Sequence, residues 1–254
     1  AAYGLLRRGI KVTMLITSGY PLSLQVDELA GKLILEQLLQ HGLDVRVGVS
    51  VTAFEGNGAV AAAHTDSGET LPCDLVIIGK GVLPALDFIP REPIEVDLGI
   101  VVDGYMQSSV ACIYAAGDAA ETVDIARRQP WVNAIWPEAA AQGRVAGFNM
   151  AGRQGAYPGS LSRNVMRIFD LDLMTLGLAT PENPSAYRIF RSEDKRQQTY
   201  RSLVFDQECL VGAVLINRIE QGGILRGLIE TRQPPTVPPS ALMAPGFNFA
   251  RLWR

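Results

Sequence analysis

Two glycine-bearing segments hold the residue types best suited to ligand chemistry. In the first, Ser108-Ser109-Val110 leads into an apolar run, Ala111–Ala116, that ends in Gly117-Asp118. A glycine there lets a pyrophosphate or a sugar-like chain approach the backbone without meeting a Cβ. The aspartate that follows offers a carboxylate to a hydroxyl group. Open α/β sheets bind ligands at the carboxyl ends of their strands, so this pair is placed where such a ligand is expected. Taken alone, a Gly-Asp turn closing an ordinary strand explains the dipeptide equally well. The second segment is Asp74–Ile78 (DLVII), running into Gly79-Lys80-Gly81-Val82-Leu83-Pro84. It too can be read as a simple glycine-rich turn.

A third pattern begins a helix. Trp136-Pro137-Glu138-Ala139 opens a run that continues through Ala140, Ala141, Gln142, Gly143 and onward to Gly152. Proline suits the first helical turn, and the small residues permit close approach by a neighbour. A helix N-terminus carries unpaired N–H groups and about half a positive charge. Glu138 offsets that charge if it points outward, so it is expected to turn toward a backbone N–H or a basic residue. Read alone, the run is also a well-packed helix with no further role.

Other chemistry is thinly supplied. His41 and His64 are the only imidazoles, and Cys73, Cys112 and Cys209 form no CxxC pair or metal-ligand spacing. No metal site and no histidine-based hydrolase follow from this set. Cys112 and Cys209 lie in apolar runs, where buried, inert thiols are expected.

The elements that must position these motifs divide the chain in three. A short helix closes at Gly9. Ile10–Ile16 reads as a strand, Gln25–Gln40 as an amphipathic helix and Leu43–Val47 as a second strand. Val49–Phe54 and Ala59–His64 read as antiparallel partners, with Asp74–Ile78 as the closing strand. This is the order of a nucleotide-binding α/β domain without its first strand. With no initiator Met, it leads us to expect an N-terminally truncated chain. Gly99–Val102 and Ala111–Ala116 read as short strands, followed by a polar loop to Trp131. Beyond Tyr157-Pro158-Gly159 the texture changes. Val165–Phe169, Leu173–Leu178, Tyr187–Phe190, Gln198–Phe205 and Leu210–Ile216 read as an antiparallel sheet, and Arg218–Glu230 as its helix. A Pro-rich tail follows.

Composition fits a globular chain: 48% apolar, 19% charged, with no apolar run long enough for a membrane span. Residues 1–159 carry 11 Lys+Arg against 17 Asp+Glu, and residues 160–254 carry 12 against 9. Neither balance suggests nucleic-acid binding. Arg188, Arg191, Lys195, Arg196 and Arg201 form either a partner patch or a solvated hairpin. No secretion signal opens the chain, so a cytoplasmic location is expected.

The run Tyr114–Asp118 after Ser108-Ser109 resembles the second flavin-binding motif of the FAD-dependent pyridine nucleotide-disulfide oxidoreductase superfamily. The helix starting at Trp136-Pro137 resembles the one whose N-terminus faces the flavin there. Gly79–Pro84 resembles the segment closing the NAD domain. The branch it is most similar to contains NADH oxidases and rubredoxin-reductase-like and nitrite-reductase-like flavoproteins. The family often has Pro-Gly where this chain has Ala111-Cys112.

The resemblance implies partial NAD(P)-binding (1–82) and FAD-binding (83–157) Rossmann-like domains, then a C-terminal α+β interface domain with an antiparallel sheet (158–254). It implies FAD and NAD(P)H as cofactors, hydride transfer to an acceptor protein or small molecule, and a homodimer. Gly117, Asp118, Trp136, Pro137, Glu138 and Ala139 are the expected flavin contacts, and Gly79 and Gly81 the expected nucleotide contacts. No catalytic side chain is assigned. The glycine fingerprints of the family and any redox-active cysteine are expected upstream, so the chain alone is expected to be colourless and inactive. A non-catalytic dimerisation or partner-binding module is the rival reading. At Ile16-Thr17-Ser18 neither an acid nor an arginine marks the adenosine ribose, which leaves NADH against NADPH open.

Overall fold

The computed structural model describes residues 1–244, 247–249 and 252. The chain opens with α1 (Ala2–Leu6) and β1 (Thr13–Ile16), then α2 (Glu28–Gln40) and β2 (Asp44–Val47). β1 and β2 are parallel, Thr13 opposite Asp44, with α2 as the crossover. Asp27 caps α2 by accepting from the Ala30 N–H at 3.2 Å. β3 (Val51–Gly56), β4 (Val60–Thr65) and β5 (Thr70–Pro72) form an antiparallel meander.

Two expected strands do not form. Asp74–Ile78 joins no sheet and lies exposed, with Ile78 at 70%. The ladder ends just past Pro72, where the Cys73 N–H still bonds the Ala61 carbonyl. β1 and β2 pair only with each other. Apolar content alone therefore found no edge to join. Ala111–Ala116 is interrupted at Cys112, whose φ of +65° turns the chain; only Tyr114 bridges, to Gln107. Cys112 is consequently exposed rather than buried, while Cys209 is half-buried.

The strand of this region lies after the Gly-Asp pair. β6 (Ile100–Val101) runs parallel to β7 (Ala120–Asp124), and β7 pairs antiparallel with β8 (Gln129–Trp131) inside the expected loop. Buried Glu121 fixes the β6 end by accepting from the Gly99 N–H at 2.9 Å. α3 spans Trp136–Met150.

The remaining strands are β9 (Arg163–Ile168), β10 (Leu171–Gly177), β11 (Arg188–Asp194), β12 (Thr199–Asp206) and β13 (Cys209–Ile216). They form one antiparallel sheet in the order β11-β12-β13-β10-β9. β13 is apolar throughout because both its faces are covered. Leu210, Ala213 and Leu215 pack toward α4 (Gly222–Thr231). Val214 and Ile216 face the other way, toward Ala30, Ile34 and Leu38 of α2. The tail contains a short helix, α5 (Pro239–Leu242), whose Leu242 joins the α4 side. No described helix is long and apolar enough to cross a membrane.

Candidate functional site

Gly117-Asp118-Ala119 forms a single 3₁₀ turn leading into β7. Gly117 has φ +79°, the left-handed region that favours glycine. A Cβ on it would lie 3.4 Å from the Ala139 Cβ, so the turn rests directly on the first turns of α3. Its N–H donates to Oε1 of Gln142 at 2.7 Å. The next residue, Asp118, is exposed, and among the described residues its carboxylate takes part in no hydrogen bond or ion pair. The turn thus presents one fixed backbone and one available carboxylate.

α3 begins at Trp136, which is 87% exposed, with Pro137 in its first turn. The N–H groups of Glu138 and Ala139 both donate to the Ile135 carbonyl at 3.1 Å. These expected free donors are therefore used within the turn, and Pro137 has none to offer. What remains at this end is the net dipole. Glu138 is turned inward: Oε1 meets Arg163 at 2.8 Å, and Oε2 accepts a hydrogen bond from the Tyr157 hydroxyl. Burial and this carboxylate push the Tyr157 phenol well above its ordinary range, so it stays protonated as a donor. Both carboxylate oxygens of Glu138 are thus engaged within the fold, and the residue is 4% exposed.

Gln142 and Tyr157 carry roles that the sequence reading did not assign. Glu138, Gln142 and Ala146 are the buried residues of α3, spaced four apart on one face. Two polar side chains on the packed stripe of a helix were the available signal, since buried polar groups require partners. A second buried cluster braces the β7–β8 hairpin. Asn133 Nδ2 donates to Asp124 at 2.7 Å and to Ser160 at 2.8 Å.

Gly79 and Gly81 stand apart from this cluster in sequence and in structure. Both are exposed, Gly81 has φ +91°, and nothing comes within 4 Å of a Cβ built at either. Just past the C-terminal end of β1, Thr17 is hydrogen-bonded to Ser50 at 3.0 Å, and the Ser18 hydroxyl donates to the Tyr20 carbonyl at 2.8 Å. The histidines are structural: His41 stacks on Phe169, and His64 sits between Thr70 and Glu55. No group of three potential metal ligands occurs among the described residues. The basic residues do lie on the β11–β12 hairpin. Arg188 pairs with Glu208, Arg191 with Asp27, and Arg201 donates to the Leu242 carbonyl and Gln221.

The sequence profile of pyridine nucleotide-disulphide oxidoreductases matches residues 1–143. The chain belongs to that family. Residues 163–233 match the rubredoxin NAD+ reductase C-terminal domain. The epsilon subunit of the NADH-dependent phenylglyoxylate dehydrogenase of Aromatoleum evansii is 30% identical over 91% of this chain and 55% of its own length. Nitrite reductase [NAD(P)H] of Bacillus subtilis is 26% identical over 91% of this chain and 28% of its own. The chain thus spans about half, or less, of the length of these relatives. Among solved structures, the covalent putidaredoxin reductase–putidaredoxin complex superposes with a TM-score of 0.86 at 22% identity, covering 99% of this chain and 60% of that one. That likeness shows the fold of the described residues, including the C-terminal sheet.

Proposed function

We propose that this chain supplies the flavin-anchoring turn, part of the nicotinamide nucleotide site and the C-terminal interface domain of a flavoprotein oxidoreductase. In this reading hydride passes from NAD(P)H to FAD and electrons pass on to an acceptor. The observation that carries it is the Gly117-Asp118 turn pinned on α3, with an exposed carboxylate free of partners among the described residues. The donor set fits FAD. Gly117 lets the turn close on α3 and fixes the residue that follows it, and Asp118 accepts from a ribityl hydroxyl. The α3 terminus at Trp136, Pro137 and Ala139 lends its dipole to the ring edge.

When bound, FAD supplies the two-electron chemistry, and the protein supplies position and field. Gly79 and Gly81 give the nicotinamide nucleotide an open backbone to lie against. With both hydroxyls at Thr17-Ser18 already engaged and neither an acid nor an arginine at Ile16-Thr17-Ser18, discrimination between NADH and NADPH stays below about a thousandfold, roughly 4 kcal/mol. Domain limits of 1–82, 83–157 and 158–254 accompany this reading, as does a homodimer. The acceptor is a small redox protein or a small molecule. Similarity to the reductase in the putidaredoxin complex and to the rubredoxin reductase C-terminal domain favours the protein. The test is anaerobic addition of NADH or NADPH to the intact flavin-loaded protein. Bleaching of the visible flavin absorbance is expected with both nucleotides, and no bleaching with either contradicts the proposal.

A further inference from the structure

A buried polar chain runs from the C-terminal sheet to the Gly-Asp turn. Arg163 on β9 holds Glu138, Glu138 accepts from the Tyr157 hydroxyl, Gln142 Nε2 approaches that hydroxyl oxygen at 3.4 Å, and Gln142 Oε1 receives the Gly117 N–H at 2.7 Å. Every link has one direction. Because the Tyr157 proton is committed to Glu138, the phenol oxygen can only accept from Gln142. That fixes the flip of the Gln142 carboxamide and turns its carbonyl oxygen toward Gly117. Gln142 is 1% exposed, so neither end of its amide has water as an alternative partner.

Resting on the flavin reading above, we infer that Gln142 is a positioning residue of the cofactor site, with Tyr157 setting its orientation. Gln142 holds the Gly117 amide while that residue is in the left-handed region, and this determines where the next residue, Asp118, presents its carboxylate. Neither Gln142 nor Tyr157 needs to touch the ligand. The chain through Glu138 to Arg163 makes the C-terminal sheet part of the support.

Amide hydrogen exchange on the ¹⁵N-labelled chain, together with FAD titration of the intact protein, tests this. Gln142→Met removes the acceptor at similar volume. It should speed exchange at Gly117 about tenfold relative to Ala146 in the same helix, and weaken FAD binding about tenfold. Gln142→Glu in its protonated form keeps the acceptor for Gly117 and a donor for the Tyr157 oxygen, and burial favours that form, so it should restore both, a rescue that simple loss of packing does not produce. Tyr157→Phe keeps the ring and loses the orienting hydroxyl, and it carries the test if Gln142→Met does not fold. It too should speed Gly117 exchange. Unchanged Gly117 exchange in Gln142→Met or Tyr157→Phe overturns the inference. So does faster exchange with unaltered FAD affinity in Gln142→Met. Asp118→Asn separates the two levels: unaltered FAD affinity in that variant rejects the flavin reading itself and leaves the exchange result standing.

Discussion

Two apolar segments of similar character meet opposite fates. β13 (Cys209–Ile216) and the run Asp74–Ile78 are both dense in Val, Ile and Leu. The first is the centre of a five-stranded sheet, fully paired and covered on both faces by α2 and α4. The second pairs with nothing and leaves Leu75, Ile77 and Ile78 exposed. Their composition is not what separates them. A strand needs a neighbour for its N–H and C=O groups, and β13 has β12 next to it in sequence and β10 on its other edge, whereas the meander before Asp74 ends at Pro72. Burial follows pairing here.

The strongest way to break that comparison is at the centre of the sheet. A Cβ on Gly212 would sit 2.0 Å from the Leu178 carbonyl oxygen, a backbone atom that cannot step aside. Gly212→Ala should destabilise the chain by more than about 4 kcal/mol, enough to unfold a marginal domain, as seen by circular dichroism and thermal melting. A native melt in that variant would mean the sheet is not the stabilising core. Truncation sharpens the contrast. Leu215→Ala, in a fully buried site, should cost about 3–4 kcal/mol in denaturant titration, and Ile78→Ser less than about 0.5 kcal/mol. Similar costs at the two sites would erase the distinction.

Arg163→Leu probes the seam between the regions. It leaves the Glu138 carboxylate buried with only the Tyr157 hydroxyl for a partner, and should cost about 3 kcal/mol. The smallest effect is expected at Asp44, whose carboxyl is held below its ordinary 3.8, first by the Arg46 guanidinium and then, against desolvation, by the Thr13 hydroxyl. A folded value below the unfolded one means the contribution is present above about pH 4 and is lost as pH falls through the folded value. Because the Arg46 and Asp44 side chains are 34% and 42% exposed and so screened by solvent, the acid shift of the melting curve that disappears in Asp44→Asn should be slight.

Much of this organisation was legible in the residues. The β1–α2–β2 unit, the β3–β4 hairpin, α3 and all five C-terminal strands follow from periodicity and turn residues. The failures have physical causes. Asp74–Ile78 had the composition of a strand but no partner. The reading of Ala111–Ala116 missed a reversal at Cys112, a residue with no evident turn preference. β7 and β8 were hidden because AETVD and QPW lack the apolar density of strands, and buried Glu121 and Asp124 earn their places through hydrogen bonds to Gly99, Arg127 and Asn133. At the site, Gly117 and Asp118 stand out by type. Gln142 does not, because its role depends on Tyr157 and Arg163, which are 15 and 21 positions away.

In the proposed function the Gly117-Asp118 turn anchors FAD through the Asp118 carboxylate. The measurement that reads this is the FAD dissociation constant of the intact protein with Asp118 and with Asp118→Ala. Loss of a charge-assisted hydrogen bond worth about 1.5–3 kcal/mol should weaken binding at least tenfold while the thermal melt of the unloaded protein stays unchanged. An unchanged dissociation constant would contradict the assignment.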